Sequence, residues 1–111
     1  MAAQYILHKS KNDQFYFVLT ADNNQTILKS EMYTAKASAQ NGAESVRTNC
    51  TDDANFERLT SANGQFYFNL RAANHQVIGT SEMYTTKAAC ENGIQAVMKV
   101  GPAAPLSDQT A

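Results

Sequence analysis

Tryptophan is absent from the 111-residue chain, and cysteine and proline occur only twice each. Two cysteines cannot build the disulfide framework of a small secreted domain. Two prolines and five glycines, against ten aromatics and 43% apolar residues, exclude a collagen-like or low-complexity chain and argue against disorder. No apolar run approaches the roughly 20 residues of a membrane span. The opening MAAQYILHKS lacks a basic segment followed by an apolar stretch, so no leader is expected. Surplus charge is missing as well. Nine Lys and Arg face ten Asp and Glu, for a net charge of −1, split five and six over residues 1–53 and four and four over residues 54–111. Neither half has the basic excess of a nucleic-acid binder. What is left is one globular domain, expected to be cytoplasmic and monomeric, long enough to bury about 60–70% of its extended-chain surface.

What the chain does contain is a duplication. A shift of 51 residues lays 10–50 onto 61–101 without a gap, and 21 of the 41 pairs are identical. Chance supplies roughly two or three such matches, so the two segments are copies of one unit. QFYF at 14–17 recurs at 65–68, SEMYT at 30–34 recurs at 81–85, Lys36-Ala37 recurs as Lys87-Ala88, and Asn41-Gly42 as Asn92-Gly93. The repeats run from about 4 to 53 and from about 55 to 101, followed by a tail at 102–111. A unit of roughly 50 residues is too small to bury a core comfortably alone, so each copy should complete the other's.

Each copy opens with a meander. Phe15, Phe17 and Leu19 alternate with Tyr16, Val18 and Thr20, and Phe66, Phe68 and Leu70 alternate with Tyr67, Asn69 and Arg71. That period of two marks a strand with one buried face, and Asn69 and Arg71 identify the wet one. Shorter apolar stretches precede it at 5–9 and 56–60. Asn12-Asp13 and Asn63-Gly64 form the first turn, Asn23-Asn24 and Asn74-His75 the second, all suited to positive φ. The turns lead into third strands at 25–30 and 76–81.

The period then becomes helical. Ala35, Ala39, Gly42, Ala43 and Val46 share one face, as do Thr86, Cys90, Gly93, Ile94 and Val97. Thr34 and Thr85 are the expected N-caps. Gly101-Pro102 ends the second helix, with Asn49 expected in the left-handed position after the first. Asn-Gly in the middle of both helices is a turn signal, yet the apolar register continues beyond it. The glycine then marks a helix lying close against the sheet, at about 1 kcal/mol relative to Ala. The tail APLSDQTA occupies the place that 56–60 holds after the first helix. A brief edge strand at 106–109 and an unstructured end are both open to it.

The strings QFYF–L–A–N and SEMYT–K–A–NG–V, spread over residues 5–98, resemble the YegP-like family of small bacterial proteins. The resemblance implies a β-β-β-α-β unit used twice, one sheet, exchange of the final strands and both helices on one face. It makes 56–60 the return strand of the first unit. It implies no activity and no cofactor. The expected architecture is therefore α+β: six main strands in a single mainly antiparallel sheet, pseudo-twofold symmetric.

Candidate chemistry is thin. Cys90 replaces Ala39 on the buried helix stripe, where a thiol is inert. Cys50 falls in a polar connection with Thr51, Asp52 and Asp53, whose acids disfavour a thiolate. His8 and His75 stand singly, and no Cys or His pair has metal-ligand spacing. No nucleophile, base and orienting group recur together, and no phosphate loop or zincin string is present, so neither an enzyme nor a metal or cofactor site is expected.

Two surfaces remain. The SEMYT strings offer Glu31, Lys36, Glu82 and Lys87 near the helix N-termini, with the plainer reading that the glutamates favour the positive helix end and Tyr33 and Tyr84 pack over the helix start. The helix-free sheet face offers Tyr16 and Tyr67 near Arg71. Tyrosines on an open sheet match single-strand nucleic-acid platforms, but the cations are too few. The expectation is an accessory or interaction module that meets a protein partner on this face. The runner-up is a small-ligand or single-stranded nucleic-acid binder using the helix N-termini or the tyrosines.

Overall fold

The computed structural model describes residues 2–110. Its elements are β1 (Gln4–Lys9), β2 (Phe15–Thr20), β3 (Thr26–Lys29), α1 (Lys36–Asn49), a 3-10 turn (Asp53–Asn55), β4 (Phe56–Thr60), β5 (Phe66–Arg71), β6 (Val77–Thr80), α2 (Lys87–Val100) and β7 (Leu106–Asp108). One sheet contains every strand in the order β4-β5-β6-β3-β2-β1-β7. All pairings are antiparallel except β1 with β7. The fold is α+β, as the repeat requires.

The duplication is visible residue by residue. Tyr5 pairs with Leu19 and Lys9 with Phe15, and 51 residues on Phe56 pairs with Leu70 and Thr60 with Phe66. β3 and β6 meet at the single pair Lys29 and Thr80, on the pseudo-twofold axis. Turn chemistry holds the register. Asp13 and Gly64 (φ 61° and 81°) close the first turns, Asn24 and His75 (φ 69° and 68°) the second. These are the residue types that tolerate the left-handed region.

Both helices cover one face. Phe17, Leu19, Phe68 and Leu70 are fully buried beneath Ala39, Ala43 and Val46 of α1 and Cys90, Ile94 and Val97 of α2. α1 packs on β1 and β2 of its own copy and on β5 and β6 of the other; α2 packs on β5 and on β3. Each helix therefore bridges the two repeats. The mid-helix glycines are explained by this approach. A Cβ on Gly42 would lie 3.0 Å from Phe17 Cε2 and from Tyr33 Cζ, and one on Gly93 would lie 2.8 Å from Tyr84 Cζ.

Three expectations are corrected. The helix caps are Ala35 and Thr86, one residue beyond Thr34 and Thr85. The cause is that Tyr33 and Tyr84 still pair with Phe15 and Phe66 through 2.7 Å backbone hydrogen bonds, which delays the helix. Thr86 Oγ1 accepts from Ala89 N–H at 3.0 Å, whereas Ala35 has no side-chain oxygen to do so. Asn49 is not left-handed: it is the last helical residue of α1, and Cys50 and Gly101 close their helices in the right-handed region. Because α1 runs that far, Cys50 continues the stripe of Ala39, Ala43 and Val46, and it is fully buried rather than set in a polar connection. Of the two alternatives left open for the tail, the edge strand is the one formed: it is a seventh strand, parallel to β1, with Tyr5 opposite Leu106 and Leu7 opposite Asp108.

Candidate functional site

Strand alternation puts Phe17 and Leu19 under the helices and turns Tyr16 and Val18 to the opposite face. Nothing in the described residues layers over that face. In the first copy it carries Ile6, His8, Tyr16, Val18 and Lys29, brought side by side by the pairings Ile6–Val18, His8–Tyr16 and Val18–Lys29. The His8 ring stacks on Tyr16 with centroids 5.1 Å apart, and Lys29 Nζ lies 5.1 Å from the Tyr16 centroid. This half is apolar and aromatic with a cation beside it.

The second copy has the same positions and different chemistry. Ile6, Val18 and Lys29 are matched by Glu57, Asn69 and Thr80. Glu57 accepts from Arg71 Nη2 at 2.8 Å and from Asn69 Nδ2 at 3.4 Å, while Thr80 donates to Asn69 Oδ1 at 2.8 Å. The Arg71 guanidinium holds the Glu57 carboxyl below its usual range, and its remaining arm donates to the His75 carbonyl at 2.6 Å. Arg71 is thus committed within the chain. Tyr67 pairs with Leu59 beside this polar network.

The structure separates the SEMYT residues. Glu31 and Glu82 do not sit at the helix starts. They line a shallow cleft of about 240 Å³ on the pseudo-twofold axis with Lys29, Ser30, Thr80 and Ser81. Ser30 and Ser81 are structural: each accepts from a core-strand N–H (Phe17 at 2.9 Å, Phe68 at 3.0 Å) and donates to the next carbonyl. Tyr33 and Tyr84 pack over the mid-helix glycines, Gly42 and Gly93, rather than over the helix starts. Lys36 is paired with the Asp108 carboxylate of β7. Lys87 has no carboxylate among the described residues, and it lines a cleft of about 330 Å³ with Arg58, Phe66, Cys90 and Glu91. Arg58 there is held by Glu91 (2.6 Å) and Asp53 (2.8 Å).

The cysteines and histidines are dispersed. Cys50 lies against Gly101, and the nearby Tyr5 hydroxyl donates to the Gly101 carbonyl at 2.7 Å. Burial pushes both thiols up, Cys90 further under the influence of Glu91. His75 is in the β5–β6 turn and His8 on the open face. Among the described residues, no group of three His, Cys, Asp or Glu is placed to hold a metal, and no helix is long and apolar enough to cross a membrane. The sequence reading missed Asp108 and the cleft beside β4. The available signal was that Lys36 and Lys87 repeat while a single acidic tail follows them.

Comparison with known proteins matches this architecture. The model of a domain of unknown function, DUF1508, matches twice, at residues 10–57 and 61–108. The UPF0339 protein YegP of Shigella flexneri is 50% identical over 110 residues, covering 99% of this chain and 100% of that protein. A UPF0339 protein of Shewanella oneidensis is 51% identical with the same coverage. The solution NMR structure of Escherichia coli YegP superposes with a TM-score of 0.94 at 49% identity, over 100% of this chain and 96% of that one. The solution structure from Shewanella oneidensis gives 0.93 at 51% identity, over 99% and 93%. With both halves matched and relatives aligned from end to end, the chain belongs to the YegP-like UPF0339 family as a tandem pair of DUF1508 units.

Proposed function

We propose that the protein is a non-enzymatic interaction module whose protein partner covers the helix-free sheet face, centred on Tyr16. One observation carries this reading: the two copies treat the same face differently. The second copy has what a solvated sheet face needs, a polar network of Glu57, Arg71, Asn69 and Thr80. The first keeps Ile6 and Val18 at the matching positions, flanking Tyr16. An apolar and aromatic patch with a cation at its rim fits a protein contact, where tyrosine provides large area at low entropic cost. Tyr67, at the polar end, extends the footprint.

The non-enzymatic part rests on the sites themselves. Both thiols are buried and their pKa values raised, which disfavours the thiolate a nucleophile needs. Single-stranded nucleic acid fits the face less well, since Arg71 is already bound to Glu57.

The test is affinity capture from the native cell with wild type and with Tyr16→Ala/Tyr67→Ala. A protein captured by wild type and lost from a folded double variant supports the reading. Retention of every partner by the double variant sinks it. Captured nucleic acid whose binding weakens steeply with salt moves the function to the runner-up class.

A further inference from the structure

We propose that the outer edge of β4 is a docking site for an extended segment of a partner protein, which adds to the sheet parallel to β4 and presents an apolar residue followed two positions later by a carboxylate. The chain holds a worked example of this interaction at its other end. β1 and β4 occupy equivalent places, each antiparallel to the next strand in the same register. On the far side of β1 lies β7: Leu106 opposite Tyr5, Asp108 opposite Leu7, with Tyr5 N–H donating to the Pro105 carbonyl at 2.8 Å and Gln109 N–H to the Leu7 carbonyl at 2.9 Å. Lys36, at the start of α1, takes the Asp108 carboxylate.

A shift of 51 residues turns Tyr5, Leu7 and Lys36 into Phe56, Arg58 and Lys87. The edge backbone and the lysine recur, whereas Arg47, which holds the Ala104 carbonyl of the tail, is matched by Met98, and the apolar Leu7 by Arg58. β4 is the terminal strand of the sheet. The Phe56 N–H is taken by the chain's own Asp53 carbonyl, which stands where Pro105 stands beside Tyr5, so an incoming strand pairs from the Phe56 carbonyl onward. Beyond it Arg58 and Thr60 continue the outward-facing backbone. The cleft of about 330 Å³ opens where the tail lies in the first copy, and Lys87 lines it exposed whereas Lys36 is half-covered. An incoming carboxylate in Asp108's register falls beside Arg58, which Asp53 and Glu91 already neutralise, so Lys87 on the cleft wall is the cation left to take it. Main-chain bonds along an edge supply affinity and such side-chain positions supply selectivity.

The occupant is a partner rather than a second copy's tail. That tail is tethered to its own β1 by residues 101–105, and moving it would open one edge to close another. The site lies on the edge, away from the open face, and does not depend on the function proposed for that face.

The probe is a synthetic peptide of residues 104–110, APLSDQT, titrated into the ¹⁵N-labelled full chain. Saturable shifts are expected at Arg58, Thr60 and the first turn of α2. Lys87→Ala, or Asn in place of the peptide's Asp, should weaken binding about two- to fivefold, the range of an exposed ion pair. Lys99→Ala, at the far end of α2, should leave it unchanged. Equal losses for Lys87→Ala and Lys99→Ala mean unspecific charge and overturn the proposal. So do shifts confined to residues 5–7, which mean exchange with the resident tail. Self-association without peptide that Lys87→Ala abolishes makes the occupant a second copy and overturns the partner assignment. No shift at millimolar peptide also overturns it, leaving Arg58 and its two carboxylates as a guard against edge pairing.

Discussion

Tyr84 lies so close over Gly93 that a methyl group on the glycine would stand 2.8 Å from the ring's Cζ. Two effects compete at this site. Alanine gains about 1 kcal/mol in helix propensity over glycine, whereas forcing a methyl into a packed interface costs about 1–3 kcal/mol. The ring cannot retreat, because Tyr84 is held to Phe66 by two 2.7 Å backbone hydrogen bonds and stacks on Phe68. Strain wins. Gly93→Ala should lower stability by about 1–2 kcal/mol in urea unfolding, and Gly93→Ala/Tyr84→Phe should recover part of it. A neutral or stabilising Gly93→Ala would show that the helix shifts outward freely.

Asp108 gives the tail a pH signature. The Lys36 ammonium, with the Thr110 hydroxyl and N–H, holds its carboxyl down to about 2. A carboxyl whose pKa is lowered on folding stabilises the docked tail above its unfolded value of 3.8, and that contribution fades as pH falls towards about 2. The pair is half exposed, so the effect is local detachment of β7 rather than global unfolding. Carboxyl ¹³C titration should place Asp108 at about 2 in wild type and move it up in Lys36→Ala. An unmoved midpoint in Lys36→Ala would assign the whole shift to Thr110.

Both thiols should be silent in the native state. Cys50 is fully buried and Cys90 nearly so, and burial raises the pKa of each. A thiol reagent should label neither cysteine until denaturant is added, and both afterwards. Replacing Cys50 by Ser places a hydroxyl between Gly101 and Tyr5, and Cys90→Ser places one beneath α2. Each should cost roughly 1–2 kcal/mol. Fast native labelling of Cys50 would mean that the end of α1 opens readily.

How much of this was legible depended on whether one copy's sequence carried the cause. The strands were, because Phe17 and Phe68 alternate with residues the second copy makes polar. The turns were, because Asp13, Asn24, Gly64 and His75 are residues that accept positive φ. The mid-helix glycines were, once the apolar register was read through them. The caps were displaced by one because a tertiary pairing, Tyr33 with Phe15, outweighs the local preference of Thr34 for a cap. Cys50 was misplaced because its neighbours Thr51 and Asp52 are polar while its own side chain follows the helix stripe. The slot beside β4 was hidden for a different reason. It is defined by β7, whose pairing with β1 joins residues about 100 positions apart, and no local pattern reports that.

The two repeats should not fold separately. Residues 1–53 contain β1 to β3 and α1, yet α1 also packs on β5 and β6, and α2 closes over β3. Separating the halves uncovers Ile27 and Leu28, near the seam, and Ala39, Ala43 and Val46 on α1, all of them buried in the whole chain. It also removes β7 from β1, exposing that edge. A fragment of about 50 residues has little core to offset such losses. Expressed alone, residues 1–53 should be unfolded, or should dimerise so that a second copy takes the place of residues 54–111 across β3. Sedimentation together with urea unfolding decides between the three states. A monomeric fragment with a cooperative transition would mean that the seam between β3 and β6 contributes little, and that each repeat is a domain in its own right.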